Sequence, residues 1–254
     1  MLEAVAAIGG GSFVVVSLAV GLRLLLVWWR TRELPEFALG FGLFAMGGVG
    51  YPLMVAAVHG FGLSVPVREA LLALQIALNV VGITAVAVFT RRVFRPAAPA
   101  AGAAVAAIAL ALGGLAVWQG VSPGLWAYIT DRAGAWNASA AVVIATLTWS
   151  GLESLLYFAK LRRRARLGLA DPLVTQRFGL WGVSILTAGA ISLAGHVLEM
   201  LGVPTVGSVV GALVVGPPGL VMSAALWMAF FPPAGYVRWV RDRFAAAEAP
   251  SSRA

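Results

Sequence analysis

The sequence has no cysteine and little charge. Without a thiol there is no disulfide, thiolate metal site, cysteine nucleophile or covalently attached c-type haem. Charged residues make up 11% of the 254 positions, against about 25% in a soluble domain. So little charge cannot clothe a globular surface, and the chain reads as an integral membrane protein. Recognisable reaction motifs are missing too. There is no GxSxG elbow, no HExxH and no Walker A loop, so the sequence leans away from an enzyme.

What is present is apolar and periodic. Hydrophobic residues are 61% of the chain and the mean hydropathy is +0.93. A spanning helix needs about 20 mostly apolar residues. Seven such runs are expected, over Ala4–Trp29, Phe37–Val58, Ala70–Phe89, Ala97–Trp118, Ala138–Ala159, Phe178–Leu201 and Val206–Phe231. The first carries Glu3 before it and no basic residue, and is too long for the apolar core of a cleaved signal peptide. One membrane domain over residues 1–232 is expected. Residues 242–254, ending in AAAEAPSSRA, read as a disordered tail.

The net charge of +8 does not point to nucleic acid, because of where it lies. Fifteen of the 18 basic residues follow helices 1, 3, 5 and 7: Arg30 and Arg32, Arg91 to Arg95, Lys160 to Arg177, and Arg238 to Arg253. The other side has Arg68 and Arg132, and Arg23 lies within helix 1. By the positive-inside rule the N-terminus is outside and the C-terminus cytoplasmic. The basic stretches then face anionic headgroups. The Ala, Gly, Arg and Pro richness suggests a GC-rich bacterial genome, hence an inner membrane.

The chain also repeats a phrase. FGLFAMGGVGYPLMVAAVH (41–59) and FGLWGVSILTAGAISLAGH (178–196) lie 137 residues apart and end on the two histidines, His59 and His196. At the same offset Pro35 falls on Pro172 and Gly82 on Gly219. GLRLLLVWWRTR (21–32) matches GLESLLYFAKLR (151–162) at an offset of 130. Helices 1–3 (about 4–96) and 5–7 (about 138–241) thus read as parallel repeats about an axis along the membrane normal. The alanine-rich helix 4 (97–118) links them. This 3+1+3 layout resembles the SWEET sugar transporters in topology, without that family's proline–glutamine motif.

Ionisable groups inside a bilayer are costly and are therefore candidates for function. Arg23 and Glu153 occupy equivalent repeat positions, seven residues before Arg30 and Lys160. Equal depth and opposite sign invite a pair between helices 1 and 5; the alternatives are Arg23 snorkelling to the cytoplasmic headgroups and Glu153 held as a protonated carboxyl bonded to a neighbour. His196 and Glu199 share a helix face at i and i+3, as a local pair or a proton relay. Gln75 and Asn79, at i and i+4 on helix 3, either line a cavity or bond two helices together. Pro217 and Pro218 are expected to kink helix 7, and Gly207 with Gly211 forms a GxxxG spacing.

Two histidines and one lysine narrow the choice further. The seven-helix membrane amidases look like a class needing three histidine ligands. The microbial rhodopsins carry retinal on a lysine of the last helix, whereas Lys160 ends the fifth. The leading expectation is a small-molecule transporter or permease with a cavity between the repeats. The alternative is a non-catalytic sensor or partner-binding protein that engages a cytoplasmic protein through the 160–177 loop. A further alternative is a b-type haem protein with His59 and His196 as axial ligands.

Overall fold

The computed structural model describes residues 2–60, 62–121, 134–203, 205 and 208–248. Among these, eight helices form and seven are long and apolar enough to cross a membrane. The spans are α1 Leu2–Thr31, α2 Leu34–His59, α3 Val65–Phe94, α4 Pro99–Val121, α5 Gly134–Ala165, α6 Pro172–Met200 and α7 Val209–Phe230. The architecture is that of a multi-pass membrane protein. Most helices outrun their apolar stretch, and polar side chains cap two of them. Asp171 Oδ1 accepts from the amides of Leu173 (2.7 Å) and Val174 (3.1 Å), which starts α6 six residues before the apolar run. Ser208 caps α7 through the Gly211 amide at 3.0 Å.

The tail is corrected by the structure. Helix α8, Ala234–Glu248, covers the first part of the segment expected to be disordered. Its Val240 and Phe244 are buried against Ala165, with Ala170, Leu173 and Tyr236 around them. The spacing of 240 and 244 puts both on one face, while Arg238, Trp239, Arg241 and Arg243 stay exposed. Burial pushes the Tyr236 phenol above its ordinary pKa. Residues 249–254 lie outside the described residues.

Six of the spans close a ring in the order α1, α2, α3, α5, α6, α7 and back to α1. Helix α4 packs on α3 and α5 and is the least buried span. The α1–α7 seam closes on glycine. A Cβ on Gly9 would stand 2.5 Å from the Gly216 carbonyl oxygen, and one on Gly216 would stand 2.8 Å from Val5 Cγ1. Small residues let helix backbones approach in this way. Of the GxxxG spacing, Gly211 is buried in α7, and Gly207 lies outside the described residues.

The half of the bundle nearest the arginines is solidly packed. Val20, Leu24, Leu39, Leu43, Ile83, Trp181 and Leu226 form one cluster with Phe89. Hydroxyls stitch the seams. Thr90 Oγ1 donates to Ser150 Oγ at 2.8 Å between α3 and α5. Ser154 Oγ donates to the Phe178 carbonyl (2.8 Å), and Ser184 Oγ to the Met222 carbonyl (3.1 Å). These seven-helix contacts went unread in the sequence, where single serines and threonines carry no spacing signal.

Helix α2 changes its winding midway. Leu43–Gly50 forms a π-helical stretch, closed by the Tyr51 amide donating to the Met46 carbonyl five residues back. Pro52 follows, with no amide of its own and a ring that crowds the carbonyl four residues earlier. A wider turn accommodates both, and such stretches recur at functional sites.

Candidate functional site

The other half of the bundle, toward His59, is hollow. A cavity of about 270 Å³ lies inside the ring and takes its walls from α1, α2, α3, α5, α6 and α7. Helix α4, the linker, contributes nothing to it. The walls are mostly apolar: Phe13, Met46, Met54, Leu147, Ile191 and Met222 among them. Among the described residues, no charged side chain lines it. Its polar groups are Gln75 and Asn79 of α3, Tyr51 of α2 and Ser192 of α6. The Ser192 hydroxyl is already donating to the Ala188 carbonyl at 2.9 Å.

Gln75 and Asn79 are thus brought together at the cavity. Both were expected to share a face, and one helical turn separates them. Gln75 is 9% exposed. Neither amide has a protein hydrogen-bond partner among the described residues, so they do not bond two helices together. They also border a second cavity of about 130 Å³, on the far side toward α4 and α5. There Gln119 Nε2 donates to Ser139 Oγ at 2.9 Å, while its own Oε1 is buried with no partner among the described residues. Gln119 escaped the sequence reading because it sits at the end of an alanine-rich helix that looked like a spacer.

A groove of about 810 Å³ opens between α1, α2 and α7 at the same end of the bundle. It shares Gly10, Tyr51 and Val215 with the central cavity. The Tyr51 ring stands edge-on to Phe13, 6.0 Å between centroids and 82° between planes. A Cβ on Gly10 would lie 2.8 Å from the phenol oxygen, so the glycine makes room for the tyrosine. Tyr51 therefore forms part of the partition between groove and cavity.

The charged candidates lie apart from this site. The expected Arg23–Glu153 pair does not form. Arg23 Nη1 donates to the Phe230 carbonyl at 2.6 Å, and its guanidinium stands 4.6 Å over the Phe231 ring. It thus caps the C-terminus of α7, where the free carbonyls attract a cation. Glu153 instead takes Arg95, whose Nε lies 2.9 Å from Oε1 and 3.1 Å from Oε2. Equal depth sets the level of two side chains, not the direction in which they point.

His196 and Glu199 do not bond each other either. Glu199 Oε1 accepts from Thr205 Oγ1 at 3.2 Å. Glu199 borders a separate hollow of about 270 Å³ with Trp136 and Asn137. His59 borders the groove, and His196 borders neither the groove nor the central cavity. Pro217 and Pro218 lie within α7 between the cavity residues Val215 and Gly219. They leave the carbonyls of Leu213 and Val214 without the usual helical donors. Among the described residues no group of three or more His, Asp or Glu side chains is placed to hold a metal.

Arg68 has a structural task. Its Nε and Nη2 donate to the carbonyls of Ala57 (2.7 Å) and Val58 (3.0 Å), closing the end of α2. Arg132 lies outside the described residues. Comparison with known proteins finds no family model, no curated protein and no solved structure that matches this chain.

Proposed function

We propose that the chain is a small-molecule transporter or permease of a bacterial inner membrane, with its substrate held in the central cavity. The observation that carries this reading is the cavity itself, walled by six helices and furnished with two unbonded amides. A hollow at mid-bundle, plugged at the arginine end by the Trp181 cluster and neighboured by a groove at the other, suits a carrier accessible from one side at a time.

The six helices are read as two three-helix units related by a half-turn about the membrane normal. Ring order supports this. Exchanging α1, α2, α3 with α5, α6, α7 leaves the neighbours unchanged, and α1–α7 contact becomes α5–α3 contact. Gly21 and Gly151, equivalent at the 130 offset, each pack on the following helix, against Phe44 and Leu186. The charge distribution supports an outside N-terminus and a cytoplasmic C-terminus.

A second reading has its own observation. The 160–177 segment is braced by α8 through Val240 and Phe244, which gives the arginine end a formed surface for a cytoplasmic partner. One experiment separates the two. The chain has no cysteine, so Asn79→Cys and Ser192→Cys each provide a single reporter thiol. Membrane-impermeant maleimide should reach it from both faces, in right-side-out and in inverted vesicles. Labelling confined to one face under all conditions would remove alternating access and leave the sensor.

A further inference from the structure

We infer that the central cavity selects an uncharged, mostly apolar small molecule carrying one group that both donates and accepts a hydrogen bond, and that the Gln75 amide reads this group. The inference deepens the transport reading and rests on the cavity being the substrate site.

Gln75 is the starting point. A primary amide offers two donors and an acceptor oxygen. Here it is more than nine-tenths buried and lines the cavity, with no protein partner among the described residues. Leaving such a group unbonded is costly, and buried polar groups of this kind call for an explanation. A ligand that pairs with both ends of the amide supplies one. Asn79 is one turn away on the same wall and can take a second contact.

The charge of the ligand follows from what the walls lack. Among the described residues, no Lys, Arg, Asp, Glu or His lines the cavity. An ion entering it would lose its hydration without a counter-charge, which is far more costly than moving a neutral group. The ion pair of Arg95 and Glu153 belongs to the arginine end, beyond the packed cluster. The remaining walls are adaptable. Met46, Met54 and Met222 are unbranched and polarisable, so they fit irregular apolar shapes. Phe13 and Leu147 add a flat and a branched surface.

The test uses four probes of one shape and four chemistries: benzamide, benzoate, benzamidinium and isopropylbenzene. Each is titrated against the purified full chain in nanodiscs. Benzamide should bind at least about tenfold more tightly than each of the others, the margin expected for one paired polar group in a buried site. In Gln75→Leu the preference for benzamide over isopropylbenzene should vanish. Gln75→Met, closer in shape, makes the same test if the leucine variant does not fold. Equal binding of benzoate or benzamidinium would overturn the inference. So would a benzamide preference that survives both substitutions, or no binding by any of the four. Benzamide preference with one-sided cysteine labelling keeps the cavity chemistry and removes transport. Two-sided labelling without that preference removes this inference alone.

Discussion

Arg95 holds Glu153 across the α3–α5 seam, its Nε within 3.1 Å of both carboxylate oxygens. The arginine is half exposed, at 51%, and the glutamate is 14% exposed. With the arginine half exposed at the end of α3, the pair gains little over hydration of its parts, and a double-mutant cycle on Arg95→Leu and Glu153→Gln should give a coupling of about 0.5–1 kcal/mol. The same cycle on Arg23→Leu and Glu153→Gln should give none, since Arg23 bonds the Phe230 carbonyl instead. Thermal unfolding in detergent measures both. Coupling between Arg23 and Glu153 would show that the observed partners are wrong.

Glycines divide by what surrounds them. Gly9→Ala would drive a methyl group into the Gly216 backbone, and Gly113→Ala meets nothing within 4 Å. Overpacking a close contact costs about 1–3 kcal/mol. Replacing an unencumbered helical glycine by alanine gains about 0.5–1 kcal/mol. Gly9→Ala should therefore lower the unfolding temperature and Gly113→Ala hold or raise it. Equal effects would mean that α1 and α7 do not meet at Gly9.

The spans and the polar face of α3 were legible in the sequence for the same reason. Hydropathy runs and an i, i+4 spacing are properties of one helix. What the sequence hid depends on azimuth. In a soluble helix the polar face points outward and fixes the rotation. In α1 and α5 lipid-facing and buried residues are equally apolar, so nothing in the sequence turns Arg23 toward α7 or Glu153 toward Arg95. For the same reason Gln75 could be seen but not its direction, and the glycine seam at Gly9 and Gly216 could not be told from many other glycines. The π-helical stretch had a signal in GGVGYP, three glycines close before a proline, which went unused.

Pro52 holds the winding of α2 open. Pro52→Ala restores an amide that can donate to the Gly48 carbonyl and favours ordinary α-helical bonding through Leu43–Gly50. Tyr51 and Met54, which line the cavity, would then rotate. The variant is expected to be more stable, by about the 0.5–1.5 kcal/mol of one net hydrogen bond, and to bind benzamide more weakly. A more stable protein with unchanged binding would separate the π stretch from the cavity.

Trp181 tests the plug at the arginine end. It is 3% exposed and edge-on to Phe89, with centroids 5.8 Å apart and planes at 77°. Its Nε1 proton has no acceptor among the described residues. Trp181→Phe keeps an aromatic ring and removes that unpaired donor, whose burial costs about 1–3 kcal/mol. The smaller ring also leaves a void, and core truncations of a few carbons cost a similar amount. The two terms oppose, so the unfolding temperature should barely move. Trp181→Ala keeps no such balance. It should cost about 3–5 kcal/mol and join the central cavity to the arginine end. Combined with Asn79→Cys, it should let impermeant maleimide reach the thiol from that face without any change of state. A large loss in Trp181→Phe would mean that the indole proton has a partner. Unchanged labelling in the Trp181→Ala variant would mean that the barrier lies in the rest of the cluster, at Leu43, Ile185 and Leu226.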